Sequence, residues 1–469
     1  MDPLTGKRIV ILGLARQGEA LARFAASVGA EVIVSDLRPA GAVQENVANL
    51  QNLEISYVFG EHPMTLLEGT DVLAVSGGVP SSAPIVAAAR QRGIRVSNDA
   101  LEFTMRSPAP IVGITGSAGK TTTTSLTGMM GRESGRTTWV GGNIGRPLIA
   151  DLSHMTSDDL VVQELSSFQL EMWSSEWGNG QFRGPSVAAV LNVTPNHLDR
   201  HSTMQAYAAA KANLLHRQPG DGVAVLSMDD EGSMALAAHV RGRLRTFSAQ
   251  GSVEDGAYIH EGQVWIRGDG SERELCQLGE ISLRGEHNLL NVLAAVTLAD
   301  SVGVDMRSMR HAIRAFRGVA HRLETVAVID GVTYVNDSIA TAPERALAGI
   351  AAFHEPIILL AGGRDKQMAW GPWAQEVARR ARHVVLFGEL APGLERRLAQ
   401  QRRSDAKAQV AVTRLETLAE AVGCAARLAR PGDVVLLSPG GTSYDAFKDF
   451  EERGTEFRSL VERLKRERA

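Results

Sequence analysis

The sequence predicts an α/β protein of three domains, and three observations carry the prediction. Short apolar runs that end in glycine-rich turns alternate with helical patterns from Arg8 to Leu437, the rhythm of parallel sheets wound with crossover helices. A length of 469 residues exceeds what one hydrophobic core ordinarily supports. Two breaks interrupt the rhythm, at Pro108-Ala109-Pro110 and near Gly318 to His321, and they divide the chain into 1–107, 108–319 and 320–469.

Composition narrows the class. A net charge of -4 with 44% apolar and 22% charged residues is an ordinary globular mixture without a broad basic surface, which argues against nucleic acid as the main partner. Cys276 and Cys424 lie far apart in unlike contexts, so neither a disulfide framework nor a metal cluster is expected, and the expected home is the reducing cytoplasm. The opening MDPLTGKRIVILGLARQG has an apolar run too short to span a bilayer and runs into a glycine turn, so no membrane partner is expected.

In the first domain, Arg8 to Leu12 reads as a strand, Gly13 opens a turn, and Ala20 to Val28 reads as an amphipathic helix. A second strand, Glu31 to Ser35, ends in Asp36. Val72 to Val75 reads as a further strand, followed by the turn Ser76-Gly77-Gly78-Val79-Pro80 and a helix from Pro84 to Arg92. Strand, glycine turn, helix and an acidic residue about twenty positions on make a Rossmann-like opening. The turn reads Gly13-x-Ala15-x-x-Gly18, without the central glycine that lets a pyrophosphate approach the backbone. On these residues a nicotinamide-dependent oxidoreductase stays open.

The second domain is built around IVGITGSAGKTTTT, Ile111 to Thr124. Its apolar start reads as a buried strand, Gly116, Ser117, Ala118 and Gly119 as a loop without bulky side chains, and Lys120, Thr121 and Thr122 as the opening of a helix. Backbone N–H groups of such a loop and the positive end of the helix converge on a phosphate, Lys120 can reach the outer phosphates, and Thr121 can bind Mg²⁺. The strict P-loop pattern needs glycine at 114, where this chain has Ile114 with Gly113 one place early. Glu164 closes the strand Leu160 to Glu164, and Asn192 to His201, NVTPNHLDRH, ends the strand Val187 to Asn192. If these strands flank the cradle strand, Glu164 and His197 offer hard ligands to Mg²⁺. A motor or switch NTPase acting on a protein partner also stays open. A helix around Tyr207 to Leu215, a strand Val223 to Ser227, a β insertion between about Leu244 and Leu283, and a helix Asn288 to Val302 complete this P-loop-type domain.

In the third domain Val326 to Ile329 and Val332 to Val335 flank Asp330-Gly331, a strong hairpin signal. Ile357 to Leu360, Val384 to Phe387, Val410 to Val412 and Val434 to Leu437 alternate with helices, so the domain reads as a doubly wound, Rossmann-like sheet. Phe457 to Arg468 reads as a charged, solvated surface helix.

An ordered set of motifs resembles the Mur ligases: TGSAGKTTT, GGNIG at Gly141 to Gly145, ELSSFQL at Glu164 to Leu170, NVTPNHLDRH, AAK at Ala209 to Lys211, GEHNLLN at Gly285 to Asn291, HRLE at His321 to Glu324 and NDS at Asn336 to Ser338. Within that family GLARQG, GGRDK at Gly362 to Lys366, and LSPGGTSYDAFKDFEERGTEF from Leu437 to Phe457 are similar to the branch that adds glutamate to UDP-N-acetylmuramoyl-L-alanine. The resemblance implies an ATP-dependent amide-bond ligase working through an acyl phosphate, with two Mg²⁺ ions, small-molecule substrates, and a monomeric cytoplasmic chain. It gives Lys120 to the ATP phosphates, Thr121 and Glu164 to one Mg²⁺, His197 to the second, and Lys211 as a carbamate, which turns a cation into an oxygen ligand. Asn288 and Asn291 resemble adenine contacts, and Arg322 and Asp337 would meet the nucleotide. Arg16 and Gln17 in the glycine turn, Asp36, Leu37, Arg38, Ser76, Asn143, Ser166 and His197 match positions that hold the sugar nucleotide. Thr341, Lys366, Ser443 and Phe450 match the incoming amino acid, although a helix N-terminus and a core aromatic also account for Ser443 and Phe450. The chain departs from the family at Ile339, usually lysine, and at Gly440-Gly441, where Ala or Cys is more usual. Both changes fall where the amino acid binds, so L-glutamate stays open beside D-glutamate.

Overall fold

The computed structural model describes the chain except residues 196–197, 284, 367, 405–409 and 469, and for 198, 199 and 404 it describes the backbone alone. The chain forms three sheets in two compact units, residues 1–282 with 286–316, and residues 283–285 with 317–469.

The first sheet holds β1 (Arg8–Leu12), β2 (Glu31–Asp36), β3 (Ile55–Phe59), β4 (Val72–Val75) and β5 (Arg95–Ser97), all parallel in the order β3-β2-β1-β4-β5. The order reverses beside β1, so the turns after β1 and β4 open on one crevice. The first helix is Arg16–Ser27, starting four residues before the expected Ala20. Arg16 and Gln17 therefore stand in the helix's first turn and not in the glycine turn. The reason is close packing: a Cβ on Gly18 would run into the Gly13 carbonyl, so the helix can begin directly against the strand end.

The second sheet holds β6 (Ile111–Thr115), β7 (Thr138–Gly142), β8 (Leu160–Glu164), β9 (Val187–Val190), β10 (Val223–Ser227), β11 (Arg243–Ser248), β12 (Gly256–His260), β13 (Gln263–Gly268) and β14 (Ser271–Gln277). Its order is β14-β13-β12-β11-β10-β9-β6-β8-β7. The expected β insertion is thus no separate module. Thr246 to Ser248 pair in parallel with Gly256 to Tyr258, and the antiparallel strands β13 and β14 prolong the same sheet. The cradle strand β6 lies between β8 and β9, the two neighbours expected of it.

The first two sheets share apolar cores, which is why they make one unit. One cluster joins Ile9, Ile11, Val34 and Ala74 to Ile111, Leu148, Ile149 and Val161, and another joins Val10, Leu73 and Ile85 to Met172 and Trp177.

In the second unit β15 (Glu324–Ile329) and β16 (Val332–Asn336) form the expected hairpin, with Asp330 and Gly331 at φ +50° and +76°. Parallel β17 (Ile357–Gly362), β18 (Ala381–Phe387), β19 (Ala411–Arg414) and β20 (Val434–Gly440) complete the order β15-β16-β20-β17-β18-β19. The terminal helix is Phe450–Glu467, longer than expected and not simply solvated. Asp449 caps it, and Phe457, Leu460 and Val461 bury one face against Tyr334, Val435 and Val422. Most of its dense charges lie on the other face, which hid the apolar stripe.

Candidate functional site

The cradle is built by steric economy. Gly113 is glycine because a Cβ would press on Pro185 at 2.8 Å and Leu214 at 3.0 Å, so it serves strand packing and the loop proper begins at Gly116. Gly119, at φ +82°, turns the chain into the helix Lys120–Glu133, and a Cβ there would collide with Asn291 Oδ1. Beyond the end of β9, Asn192 pins the loop: its Oδ1 accepts from Ala118 N–H at 2.8 Å, its Nδ2 donates to Ala118 O at 3.2 Å, and its carbonyl accepts from Ser117 N–H at 3.0 Å. Lys120 Nζ donates to the carbonyls of Gly116 at 2.8 Å and Ser117 at 3.3 Å, so the ammonium lies over its own loop. Thr121 and Thr122 are buried at the helix start.

Asn288 and Asn291, one helical turn apart on Glu286–Ser301, bond to each other at 3.0 Å, and Asn291 Oδ1 lies 3.5 Å from Thr123 Oγ1. Both therefore stand beside the cradle.

Glu164, only 1% exposed, ends β8. Its Oε1 accepts from Asn143 Nδ2 at 2.8 Å, while Oε2 has no hydrogen-bond partner among the described residues. A buried carboxylate oxygen without a donor is a position that a hard cation fits. Asn143, expected at the sugar nucleotide, is held on Glu164, with its N–H on the Glu164 carbonyl at 2.9 Å as well. Lys211, on the helix Met204–His216, is 1% exposed, with Nζ 3.4 Å from Thr115 Oγ1 and 4.5 Å from the Tyr207 ring centre. Burial, reinforced by the charge of Lys120, pushes its pKa well below the ordinary lysine value. That shift favours the uncharged, nucleophilic form of the amine. Among the described residues no three His, Cys, Asp or Glu side chains gather into a cage. His197 lies outside the described residues.

In the first sheet's crevice Asp36 is buried and accepts from Leu14 N–H at 2.7 Å and from Arg38 N–H and Nε at 2.9 Å. Burial would raise its pKa, but Arg38 and the two backbone donors outweigh that and hold it at about 2. Leu37 between them is exposed at 63%. Gln17 Oε1 accepts from Gly77 N–H at 3.3 Å and Ser76 Oγ donates to Gly13 O at 3.0 Å, closing the two turns on each other. Arg16 Nη1 lies 3.4 Å from Gly145 O. Ser166 is the cap of the helix Ser167–Glu171, in a capping box with Gln169, so its hydroxyl already has a structural duty.

The second unit groups another set. Asp337, following β16, accepts from Ser438 Oγ at 2.8 Å and from Leu323 N–H at 3.3 Å. Arg453, fully buried, donates to Ser338 Oγ at 3.0 Å, Ser338 O at 2.9 Å and Gly441 O at 3.1 Å, tying the NDS and GGTS loops to the terminal helix. The sequence reading missed this residue, although FEERG sits in a motif it singled out. Phe450 opens that helix with its ring edge-on to His321. Ser443 is 2% exposed, Thr341 and Arg322 are half-buried, and Lys366 is exposed with Nζ 5.5 Å from the Tyr444 ring. Gly440, at φ +70°, would press a Cβ onto Trp370 at 3.0 Å, which accounts for one of the two glycines that depart from the family pattern.

A phosphate cradle at the head of a parallel sheet, with a buried carboxylate on the next strand, defines a nucleotide-dependent phosphoryl-transfer enzyme. Comparison with known proteins specifies the class further. Residues 7–98 match the Mur ligase MurD-like N-terminal domain, 114–299 the Mur ligase middle domain and 321–441 the Mur ligase glutamate ligase domain. The chain is 40% identical to a UDP-N-acetylmuramoylalanine--D-glutamate ligase of Pelotomaculum thermopropionicum over 99% of this chain and 100% of that one. It is also 40% identical to the enzyme of that name from Symbiobacterium thermophilum, over 98% of each. Among solved structures, the UDP-N-acetylmuramate-alanine ligase of Thermotoga maritima shares the fold at a TM-score of 0.57 and 19% identity, over 98% of this chain and 99% of that one. The chain belongs to the Mur ligase family of ATP-dependent ligases.

Proposed function

We propose that this chain joins D-glutamate to UDP-N-acetylmuramoyl-L-alanine at the expense of ATP, as a step in building peptidoglycan precursor. The observation that carries the reading is the cradle flanked by Glu164 and Lys211, found in a chain 40% identical end to end to a ligase named for that reaction. The reading takes 1–107 for the sugar nucleotide, 108–319 for ATP, and 320–469 for the amino acid and nucleotide, in a monomer acting in the cytoplasm. No helix among the described residues is long and apolar enough to cross a membrane.

In this reading the N–H groups of Gly116 to Thr121 hold the phosphates, and Lys120 leaves its loop carbonyls for the γ-phosphate. Two Mg²⁺ ions, one held by Thr121 and Glu164 and the other by His197 and carbamylated Lys211, would neutralise charge on the phosphate oxygens. Burial favours the uncharged form of the Lys211 amine, the form that takes up CO₂ to become the carbamate. Lys120 then steadies the phosphoryl group as it passes to the alanyl carboxylate, giving an acyl phosphate and ADP. Thr341, Lys366 and Ser443 hold glutamate so that its amine attacks the acyl carbon; the amine loses a proton and phosphate leaves, forming the amide.

The test is phosphate release with ATP, the sugar nucleotide and each glutamate isomer supplied separately and together. Release should require all three substrates and the D isomer. Lys120→Ala should lower it by a hundredfold or more, since one lost charged donor to the transition state is worth about 3 kcal/mol, with no change in the thermal midpoint. Release from ATP alone at the full rate would overturn the reading, and turnover with L-glutamate alone would change the acceptor.

A further inference from the structure

Arg200 lies in NVTPNHLDRH but belongs to none of the roles given above. It sits on the short helix Leu198–His201, three residues after His197, and its guanidinium crosses to the first sheet's crevice. Nη1 donates to Gly77 O at 3.2 Å and Nη2 to Val79 O at 3.1 Å, both in the turn that carries Ser76. The same guanidinium lies 4.1 Å from the ring centre of Phe168, on the helix that follows Glu164. Its neighbour His201 stacks on the same Phe168 ring at 5.3 Å, with Nε2 2.9 Å from Ser167 Oγ and its ring 5.3 Å from Tyr207, one turn before Lys211. Two consecutive residues thus fasten one short helix to both the sugar-nucleotide turn and the helix bearing the buried lysine.

We propose that Arg200 is a positioning residue that couples the sugar-nucleotide turn, Ser76 to Pro80, to the short helix Leu198–His201 and to the helix that follows Glu164. The inference rests on the reading that Ser76 faces the sugar nucleotide. A planar guanidinium can hold two carbonyls and a ring face together. A lysine can keep the charge over Phe168 but reaches the carbonyls as a single point. When the sugar nucleotide orders the turn, Arg200 carries that order to its own helix and, through the Phe168 ring, to the helix beside Glu164.

Hydrogen exchange on the full chain, with and without UDP-N-acetylmuramoyl-L-alanine, tests the coupling apart from activity. In the wild type, ligand should slow exchange both in Ser76 to Pro80 and in Leu198 to His201. In Arg200→Ala it should slow exchange in the first segment alone. Steady-state rates should show a tenfold or greater fall in kcat and a severalfold rise in KM for the sugar nucleotide, with KM for ATP unchanged. Arg200→Lys should recover part of kcat, and it keeps the test open if the alanine variant does not fold. Paired protection surviving in both variants with kcat within twofold of wild type would overturn the proposal, and so would equal changes in all KM values accompanied by a lowered thermal midpoint. If the wild type itself shows no protection in Ser76 to Pro80, the sugar-nucleotide reading fails first, and that outcome is distinct from loss of coupling.

Discussion

A carboxyl group sealed from water at neutral pH is held against its own chemistry, and Asp337 is the clearest instance, 4% exposed behind β16. Burial raises its pKa to about 7, despite the lowering effects of the Ser438 hydroxyl, the Leu323 N–H and the charges of Arg322 and Arg345. The sign of the pH dependence follows. Between the unfolded value near 3.8 and about 7, the folded chain keeps a proton that the unfolded chain releases. Stability from this group is therefore complete below the unfolded pKa and declines as pH rises to the folded one, by up to roughly 4 kcal/mol for a shift of that size. Asp337→Asn should raise the urea midpoint of the second unit at pH 8, leave it nearly unchanged at pH 4, and flatten the slope between. Because the same carboxylate is proposed to face the nucleotide, that variant should also lose ligation. Parallel pH profiles for variant and wild type would refute the buried-proton account, and an active variant would remove Asp337 from the nucleotide site.

At the scale of the element, the cradle is a strand, a loop and a helix held by neighbours distant in sequence. Gly119→Ala puts a methyl group against Asn291 Oδ1 and also demands φ +82° of a residue with a side chain. Gly145→Ala demands φ +57° with nothing within 4 Å, so it carries the backbone strain alone, about 1 kcal/mol. The expected contrast is a rise of tenfold or more in KM for ATP with Gly119→Ala and a change below threefold with Gly145→Ala; similar values for the two would mean that Asn291 yields freely. The same distinction between local and distant causes explains what the sequence made legible. IVGIT, GKT and the Asp330-Gly331 hairpin announce themselves within a few residues, and they stand where expected. Arg95–Ser97 is too short to show a period, and Ile55–Phe59, on the sheet's edge, is only half-buried and so lacks the continuous apolar run of the inner strands. Asn143 on Glu164 and Asn192 on Ala118 join residues 21 and 74 positions apart. No spacing rule reaches so far, which is why neither pairing is legible in the sequence.

For the whole molecule, the sharing of cores decides which pieces can stand alone. Among the described residues, the second unit's two apolar clusters draw on residues from Leu323 onward: one packs Trp370, Trp373, Leu359 and Leu436, the other Tyr334, Leu360, Phe457 and Val461. The first sheet has no such independence. Its helices and strands bury Ile9, Leu21 and Phe103 in a cluster completed by Ala109, Leu148, Ile149, Met155 and Val161, all beyond residue 107. Its buried polar groups are completed from the same side. Asn98 donates to Gln169 O at 3.0 Å, and Thr104 donates to Gln163 Oε1 at 3.0 Å. Cutting the chain at 107 strips several large apolar side chains of cover, each worth about 1.5 to 3 kcal/mol when fully buried, against a typical domain stability of about 5 to 15 kcal/mol. A fragment 317–469 should therefore give a cooperative thermal transition and dispersed amide resonances, whereas a fragment 1–107 should give neither and should bind hydrophobic dye. A cooperative transition in 1–107 would mean that its own layer of helices suffices, and failure of 317–469 to fold would mean that residues 283–285 or the first unit are part of its core.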